Sequence, residues 1–276
     1  MTESLGEFET LIVELDGPIG WLVFNRPDVG NAMNARMLAE VEEAWKTLDA
    51  DPRVRVIINT GNGPAFHTGL DVQQLARDKD ALREQSRRTR DSTLKLTSWH
   101  NEVWKPVIAA VNGVCAGGGF HFVADADIVI ASSNATFVGP HVSIGQVMAY
   151  EAIALARKMP MEAVLRLALV GRHERMTAAR AYELGMVSEV VEPDDLRSSA
   201  ADLAGKIARN SPTALARTKR ALWGALEQGL TDACRAGAAE VVAMWGHPDQ
   251  TEGPLAFAEK REPDWAAARP RDIAKP

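Results

Sequence analysis

Cysteine is scarce in this 276-residue sequence: there are two, Cys115 and Cys234. They are too few for a disulfide framework and lack metal-ligand spacing. Such usage fits a reducing compartment. A basic excess is also missing. The net charge of −6 argues against a nucleic-acid surface. The nearest approach to a basic run, REQSRRTR at 83–90, alternates with polar residues and reads as the solvated face of a helix. The opening MTESLGEFET is acidic and has no apolar core, so no signal peptide is expected and a cytoplasmic location is. Repeats and low-complexity linkers are absent. One charge-free run, Pro106 to Ala124, has the length of a membrane span. It contains Pro106, Asn112, four glycines and His121, and so reads as a buried strand, loop and helix.

What is present is an ordinary globular composition, 46% hydrophobic and 25% charged, long enough for one large domain or a domain with an appendage. Two β-rich runs, TLIVEL and IGWLVF, flank the turn signal Asp16-Gly17-Pro18. A helix capped by Asn34 follows, with Met37, Leu38, Val41, Trp45 and Leu48 on one face. Next come the strand VRVIIN, the turn GNGP, a short helix from about Asp71 and a polar helix through the eighties and nineties. The strand VIAAV, a glycine run with its helix, and the strand DIVIA complete an alternating pattern that predicts an α/β layered core. From about Pro193 to Arg261 only helical periodicity remains, broken at Ser211-Pro212, Gly229 and Pro248. Leu222, Trp223, Val241, Val242, Met244 and Trp245 in this tail need a partner surface, on the core or on a second subunit.

The stretch CAGGGFHF (115–122) sets a glycine turn between a strand ending at Val111 and a helix. Free N–H groups and the helix dipole there suit a phosphate or a developing oxyanion. Gly117 and Gly119 fit the first two positions of a dinucleotide fingerprint, but the third falls on Phe122 and no P-loop lysine follows. Close helix–strand packing is the plainer use of such glycines. A second strand–glycine turn–helix junction, AFHTGLDVQQL (65–75), lets two N–H groups aim at one point.

AFHTGLDVQQL together with KPVIAAVNGVCAGGGFHFVADADIVIAS (105–132) resembles the enoyl-CoA hydratase/isomerase, or crotonase, superfamily. NRPDVGNAMNARM (25–37), MTAARAYELGMV (176–187, with Met176 in a leucine position) and EGPLAFAEKREPDW (252–265) extend the resemblance over nearly the whole chain. It implies a crotonase-like stacked ββα core over 1–195 and a helical C-terminal region over 196–276 for trimerisation and CoA contact. It also implies a homotrimer or homohexamer and an acyl-CoA thioester as substrate, with no other cofactor, nucleic acid or membrane as partner. The thioester carbonyl would be held by the N–H groups of Leu70 and Gly118. Ala32, Gly69, Asp71, Phe257 and Lys260 fall on substrate- and CoA-binding positions.

The sequence departs from that pattern where the chemistry lies. Relatives that hydrate carry two glutamates; here His121 and His141 occupy the two positions. His67 stands where a small residue is common. A histidine pair can share one proton near neutrality, one ring as base and the other as acid. That chemistry serves hydration of an enoyl-CoA. It serves equally a retro-Claisen hydrolysis of a β-keto acyl-CoA or cyclic β-diketone, in which water attacks a carbonyl. An acyl-CoA-binding protein with little turnover is the third reading, and packing is the plain role of a histidine in apolar surroundings. Glu151 and its neighbour Tyr150, at a helix start, are candidate orienters, Glu151 as the partner of His141, with a plain helix-terminal charge as its alternative. Asp28, Val29, Gly30 and Gln73 stand where relatives carry basic residues, which weakens the expected grip on CoA phosphates. No metal site is expected from His67, His121 and His141, whose spacings form no helical pair.

Overall fold

A computed structural model of the chain describes residues 2–73, 87 and 95–266. In chain order the strands are β1 (Glu3–Ser4), β2 (Leu11–Asp16), β3 (Ile19–Phe24), β4 (Val56–Gly61), β5 (Ala65–His67), β6 (Val107–Val111), β7 (Val114–Ala116), β8 (Ile128–Ser132), β9 (Thr136–Val138), β10 (Met176–Thr177) and β11 (Glu189–Val191). The helices are α1 (Ala35–Ala50), α2 (Phe120–Ala124), α3 (Tyr150–Leu155), α4 (Met161–Val170), α5 (Ala178–Glu183), α6 (Leu196–Ala208), α7 (Pro212–Ala225), α8 (Leu230–Val242) and α9 (Asp249–Glu259).

The strands form two sheets, a large one ordered β1-β2-β3-β4-β6-β8-β11 and a small one ordered β10-β9-β7-β5. The β2–β3 hairpin turns at Asp16–Ile19, where the sequence places Gly17 at φ +56°, a conformation glycine adopts without cost. From β3 to β11 the large sheet is parallel, so its strands are covered on both faces. Alternation along β3 divides its side chains. Leu22 and Phe24 join Met37, Val41, Trp45, Phe66 and Phe122 in one core. Ile19, Trp21 and Val23 join Val56, Ile58 and Ile108 in the other, which α6 closes with Leu196, Ala200, Ala204 and Ala208. That stripe at i, i+4, i+8 and i+12 of mostly small side chains lets the helix lie close on the sheet. Asn34 caps α1 through its side chain, 2.8 Å from Met37 N.

One feature of the glycine run differs from the sequence reading. The turn follows a separate short strand, β7, rather than the strand ending at Val111. β7 is held by parallel pairing with β5 on one side and β9 on the other. The helix read from Asp71 is described only at Val72 and Gln73, and the polar run 83–90 lies outside the described residues save for Arg87.

The helical region breaks where Pro212, Gly229 and Pro248 stand. Trp223 of α7 docks on the core, with Nε1 2.7 Å from Asp127 Oδ1 and its ring stacked on Trp99 at 5.2 Å. Asp249 anchors α9 by accepting the Ser211 hydroxyl proton. Leu222, Val241, Val242 and Trp245 stay exposed on the single chain. Among the described residues no helix is long and apolar enough to cross a membrane.

Candidate active site

The two glycine junctions meet because β5 and β7 are neighbours. At the first, Gly69 takes φ +87°, and a Cβ there would lie 2.8 Å from Gly118 N. A single parallel bridge joins Met33 to Leu70, through Met33 N–Gly69 O at 2.7 Å and Asp71 N–Met33 O at 2.9 Å. In a parallel ladder the bridged residue turns its own N–H away from that partner. The Leu70 N–H is therefore turned off Met33. At the second junction Gly118 lies in the 3-10 turn Gly117–Gly119, and the first N–H groups of a helical turn have no partner inside it.

The three glycines serve three purposes. Gly117 takes φ +54°, which disfavours any side chain. A Cβ on Gly119 would meet the His67 carbonyl at 2.3 Å, so packing excludes it. A Cβ on Gly118 would meet nothing nearer than Gly69 Cα at 3.6 Å, Met33 Cε at 3.9 Å and His121 Cδ2 at 4.0 Å. Neither backbone conformation nor protein packing demands a glycine at 118; it leaves open a space that His121 borders.

His121 reaches that space from α2, and His141 comes from the 3-10 turn His141–Ile144 after β9. Glu151, in the first turn of α3, joins them. Its Oε1 lies 3.2 Å from His121 Nε2 and 3.2 Å from His141 Nε2. From sequence Glu151 was paired with His141 alone; the structure sets it against both rings. Glu151 is 5% exposed. Burial raises its pKa, but hydrogen bonds from His121 and His141 outweigh burial and hold the carboxyl well below the usual range. With Nε2–H committed to the carboxylate, each ring keeps Nδ1 for other work. His141 Nδ1 is buried without a hydrogen-bond partner among the described residues. Among those residues no group of three or more His, Cys, Asp or Glu is arranged to hold a metal ion. Tyr150 is half exposed, its ring 6.5 Å from that of His121.

His67 is fully buried and takes the Gly69 N–H on Nδ1 at 3.0 Å. Burial, and after it the charge of His121, push its pKa down to about 3. The remaining positions are dispersed. Asp71 pairs with Arg26 at 3.2 Å, and the same guanidinium donates to the carbonyl of Ala32. Phe257 is 87% exposed on α9, and Lys260 ends that helix in a left-handed conformation.

Sequence reasoning missed a cluster beside His121. Asp125, one turn along, accepts the Thr97 hydroxyl proton at 2.6 Å, and Thr97 Oγ1 lies 2.9 Å from His100 Nδ1. The His100 ring sits 6.2 Å from that of His121. The only local signals were the i, i+3 spacing of Thr97 and His100 and the i, i+4 spacing of His121 and Asp125.

The sequence profile of the enoyl-CoA hydratase/isomerase family matches residues 15–268. A probable enoyl-CoA hydratase of Rhizobium meliloti is 34% identical over 263 residues, covering 94% of this chain and 98% of the relative. A mevalonyl-coenzyme A hydratase of Aspergillus fumigatus is 33% identical over 251 residues, covering 90% and 91%. The crystal structure of an enoyl-CoA hydratase/isomerase from Mycobacterium paratuberculosis superposes with a TM-score of 0.83 at 37% identity, covering 95% of this chain and 100% of that one. The chain belongs to the enoyl-CoA hydratase/isomerase family, with the crotonase fold.

Proposed function

We propose that this acyl-CoA-processing enzyme adds water to the double bond of an enoyl-CoA thioester, or removes it, using a His121–Glu151–His141 cluster in place of two glutamates. The observation that carries this reading is the single Glu151 oxygen 3.2 Å from both Nε2 atoms, with His121 Cδ2 4.0 Å from where a Gly118 Cβ would stand. The N–H groups of Leu70 and Gly118 receive the thioester oxygen, where negative charge develops as the enolate forms; one such donor contributes about 2.7–4 kcal/mol in a transition state. One imidazole takes a proton from water through Nδ1 as the oxygen bonds to Cβ. The cluster, now carrying that proton, returns it to Cα. Hydroxyl on Cβ and hydrogen on Cα account for the whole water molecule. The ionised carboxylate stabilises the imidazolium between these steps and fixes both tautomers, as the buried Asp does in a catalytic triad.

A second reading is favoured by His141. An imidazole backed by a carboxylate, with its other nitrogen unpartnered among the described residues, is suited to driving water against a carbonyl, as in retro-Claisen cleavage of a β-keto acyl-CoA or cyclic β-diketone. A thioester-binding protein with little turnover would not need the carboxylate between the rings. Ala32, Gly69, Asp71, Phe257 and Lys260 are assigned to the CoA side, and residues 196–276 to CoA contact and self-association. The exposed Leu222, Val241 and Trp245 support a homotrimer or homohexamer, which sedimentation tests.

Mass spectrometry of products decides the reaction. Linear substrates are used, since ring opening and hydration both add one water. A linear enoyl-CoA that gains water with its chain intact establishes hydration. A linear 3-oxoacyl-CoA split in two establishes the hydrolase. Tight binding with neither product establishes the binding protein.

A further inference from the structure

His121 borders the Gly118 space with one edge and a second space with its face. That second space is a cavity of about 190 Å³ lined by Trp99, His100, His121, Asp125, Tyr150 and Trp223. Arg157 and Glu227, both exposed, complete its polar lining, and Ile153 and Ala154 are its aliphatic members among the described residues. Because His121 borders both spaces, an acyl chain whose carbonyl rests at Gly118 would pass that ring to reach the cavity.

The hydrogen bonds on its wall fix what it offers. The one proton of the Thr97 hydroxyl goes to Asp125. Thr97 Oγ1 must then accept from His100, which places the ring proton on Nδ1. Nε2 of His100 is left as a bare acceptor. Burial lowers the His100 pKa, against the pull of Asp125, and so favours the uncharged ring. An acceptor nitrogen in a small polar cavity recognises an O–H donor. Asp125 beside it disfavours an anion.

The volume is below the roughly 300–1,000 Å³ of pockets for larger ligands, which excludes a long alkyl chain. A larger groove of about 580 Å³, lined by Ile207, Leu215, Leu222 and Leu226, shares Ala154, Arg157 and Trp223 with the cavity. Trp223 is pinned by Asp127 and by stacking on Trp99, so it is a fixed part of the boundary that the two spaces share.

We propose that this cavity holds the acyl end of the substrate and selects a short chain bearing a hydroxyl group, which donates to Nε2 of His100. The proposal rests on the thioester lying at Gly118. Its test is therefore a binding measurement that needs no turnover. Calorimetry compares pentanoyl-CoA, 5-hydroxypentanoyl-CoA, glutaryl-CoA and octanoyl-CoA, all saturated and so inert to hydration. The hydroxy ester is expected to bind at least tenfold more tightly than the other three. In His100→Phe that advantage should vanish while the variant still binds pentanoyl-CoA, with thermal melting as the check that it folds. Thr97→Val, which frees the His100 tautomer, should lose part of it. Equal binding of the hydroxy and plain esters overturns the proposal. A preference for octanoyl-CoA, placing the chain in the apolar groove, overturns it too, as does a preference for glutaryl-CoA, placing its carboxylate on Arg157. Failure of every CoA ester to bind removes the thioester site itself, a result distinct from loss of selectivity.

Discussion

His67 and His121 stand at the two glycine junctions of one small sheet, and both are buried, at 0% and 8% exposure. What surrounds them differs. His67 spends Nδ1 on the Gly69 N–H and is flanked by Phe24 at 4.8 Å and Phe122 at 5.2 Å, with no carboxylate acting on it among the described residues. It is held neutral down to a pKa of about 3, chiefly by burial. His121 has an ionised carboxylate 3.2 Å from Nε2 and a cavity beside its ring. Burial alone therefore does not mark a histidine for proton transfer. A buried charge that compensates the imidazolium, and a space for the substrate, do.

Removing that carboxylate makes His121 and His141 resemble His67, and it carries the largest expected effect. Glu151→Gln should lower turnover by roughly 10²–10⁴-fold, the range for disabling acid–base catalysis or its orienting carboxylate. The melting temperature should change little, since the amide fills the same volume. Steady-state rates across pH, on whichever ester the product panel identifies, provide the check. A loss below tenfold with an unchanged pH profile would reduce Glu151 to a helix-terminal charge. Because the two rings act through one carboxylate, His121→Ala and His141→Ala should be strongly non-additive when combined.

The elements that were legible in the sequence are those set by neighbours along the chain. Asp16-Gly17-Pro18 marks a hairpin, Asn34 caps α1, and Pro212, Gly229 and Pro248 break the helical tail, because turn chemistry and capping act over two to four residues. β7 was not legible. Val114–Ala116 is three residues long, and pairing with β5 and β9 makes it a strand. The same holds at the site. His121 and His141 stood out by their positions in a recognised pattern, and Glu151 by proximity to His141. The Glu151–His121 contact spans 30 residues of chain, the difference of their numbers. The Thr97–Asp125 bond spans 28. Contacts of that separation leave no local signature, so the hydrogen-bond relay beside His121 had no reading before the fold.

A sharper form of the comparison lies in the glycines between the two histidines. Gly118→Ala adds a methyl that meets only ordinary van der Waals neighbours, so the fold should keep its stability within about 1 kcal/mol. The methyl projects into the space assigned to the thioester oxygen and should cost roughly 10²–10³-fold in kcat/KM, the scale of losing one oxyanion donor. Gly119→Ala reverses the pattern. Its methyl would lie 2.3 Å from the His67 carbonyl, so thermal melting should show a destabilised protein, by about 1–3 kcal/mol or more. Equal losses of stability in the two variants would mean that Gly118, too, is a packing glycine.

The smallest effect concerns His67 and is read in stability rather than rate. In the unfolded chain its pKa is near the ordinary 6.5, and in the fold it is about 3. The unfolded state therefore takes up a proton first as pH falls. The stability that neutral burial supplies is complete above about pH 6.5. It declines on acidification by up to about 1.4 kcal/mol per pH unit until the folded pKa is reached. His67→Asn keeps an acceptor for the Gly69 N–H but has nothing to titrate. At pH 7 it should be the less stable protein, because a smaller side chain leaves space between Phe24 and Phe122. Between pH 7 and 5 the gap from the wild type should narrow by about 2 kcal/mol. Urea unfolding of both proteins at each pH measures that gap. Parallel curves would mean that His67 is protonated as readily in the fold as out of it. It would then have found a compensating charge, and the contrast with His121 would rest on the cavity alone.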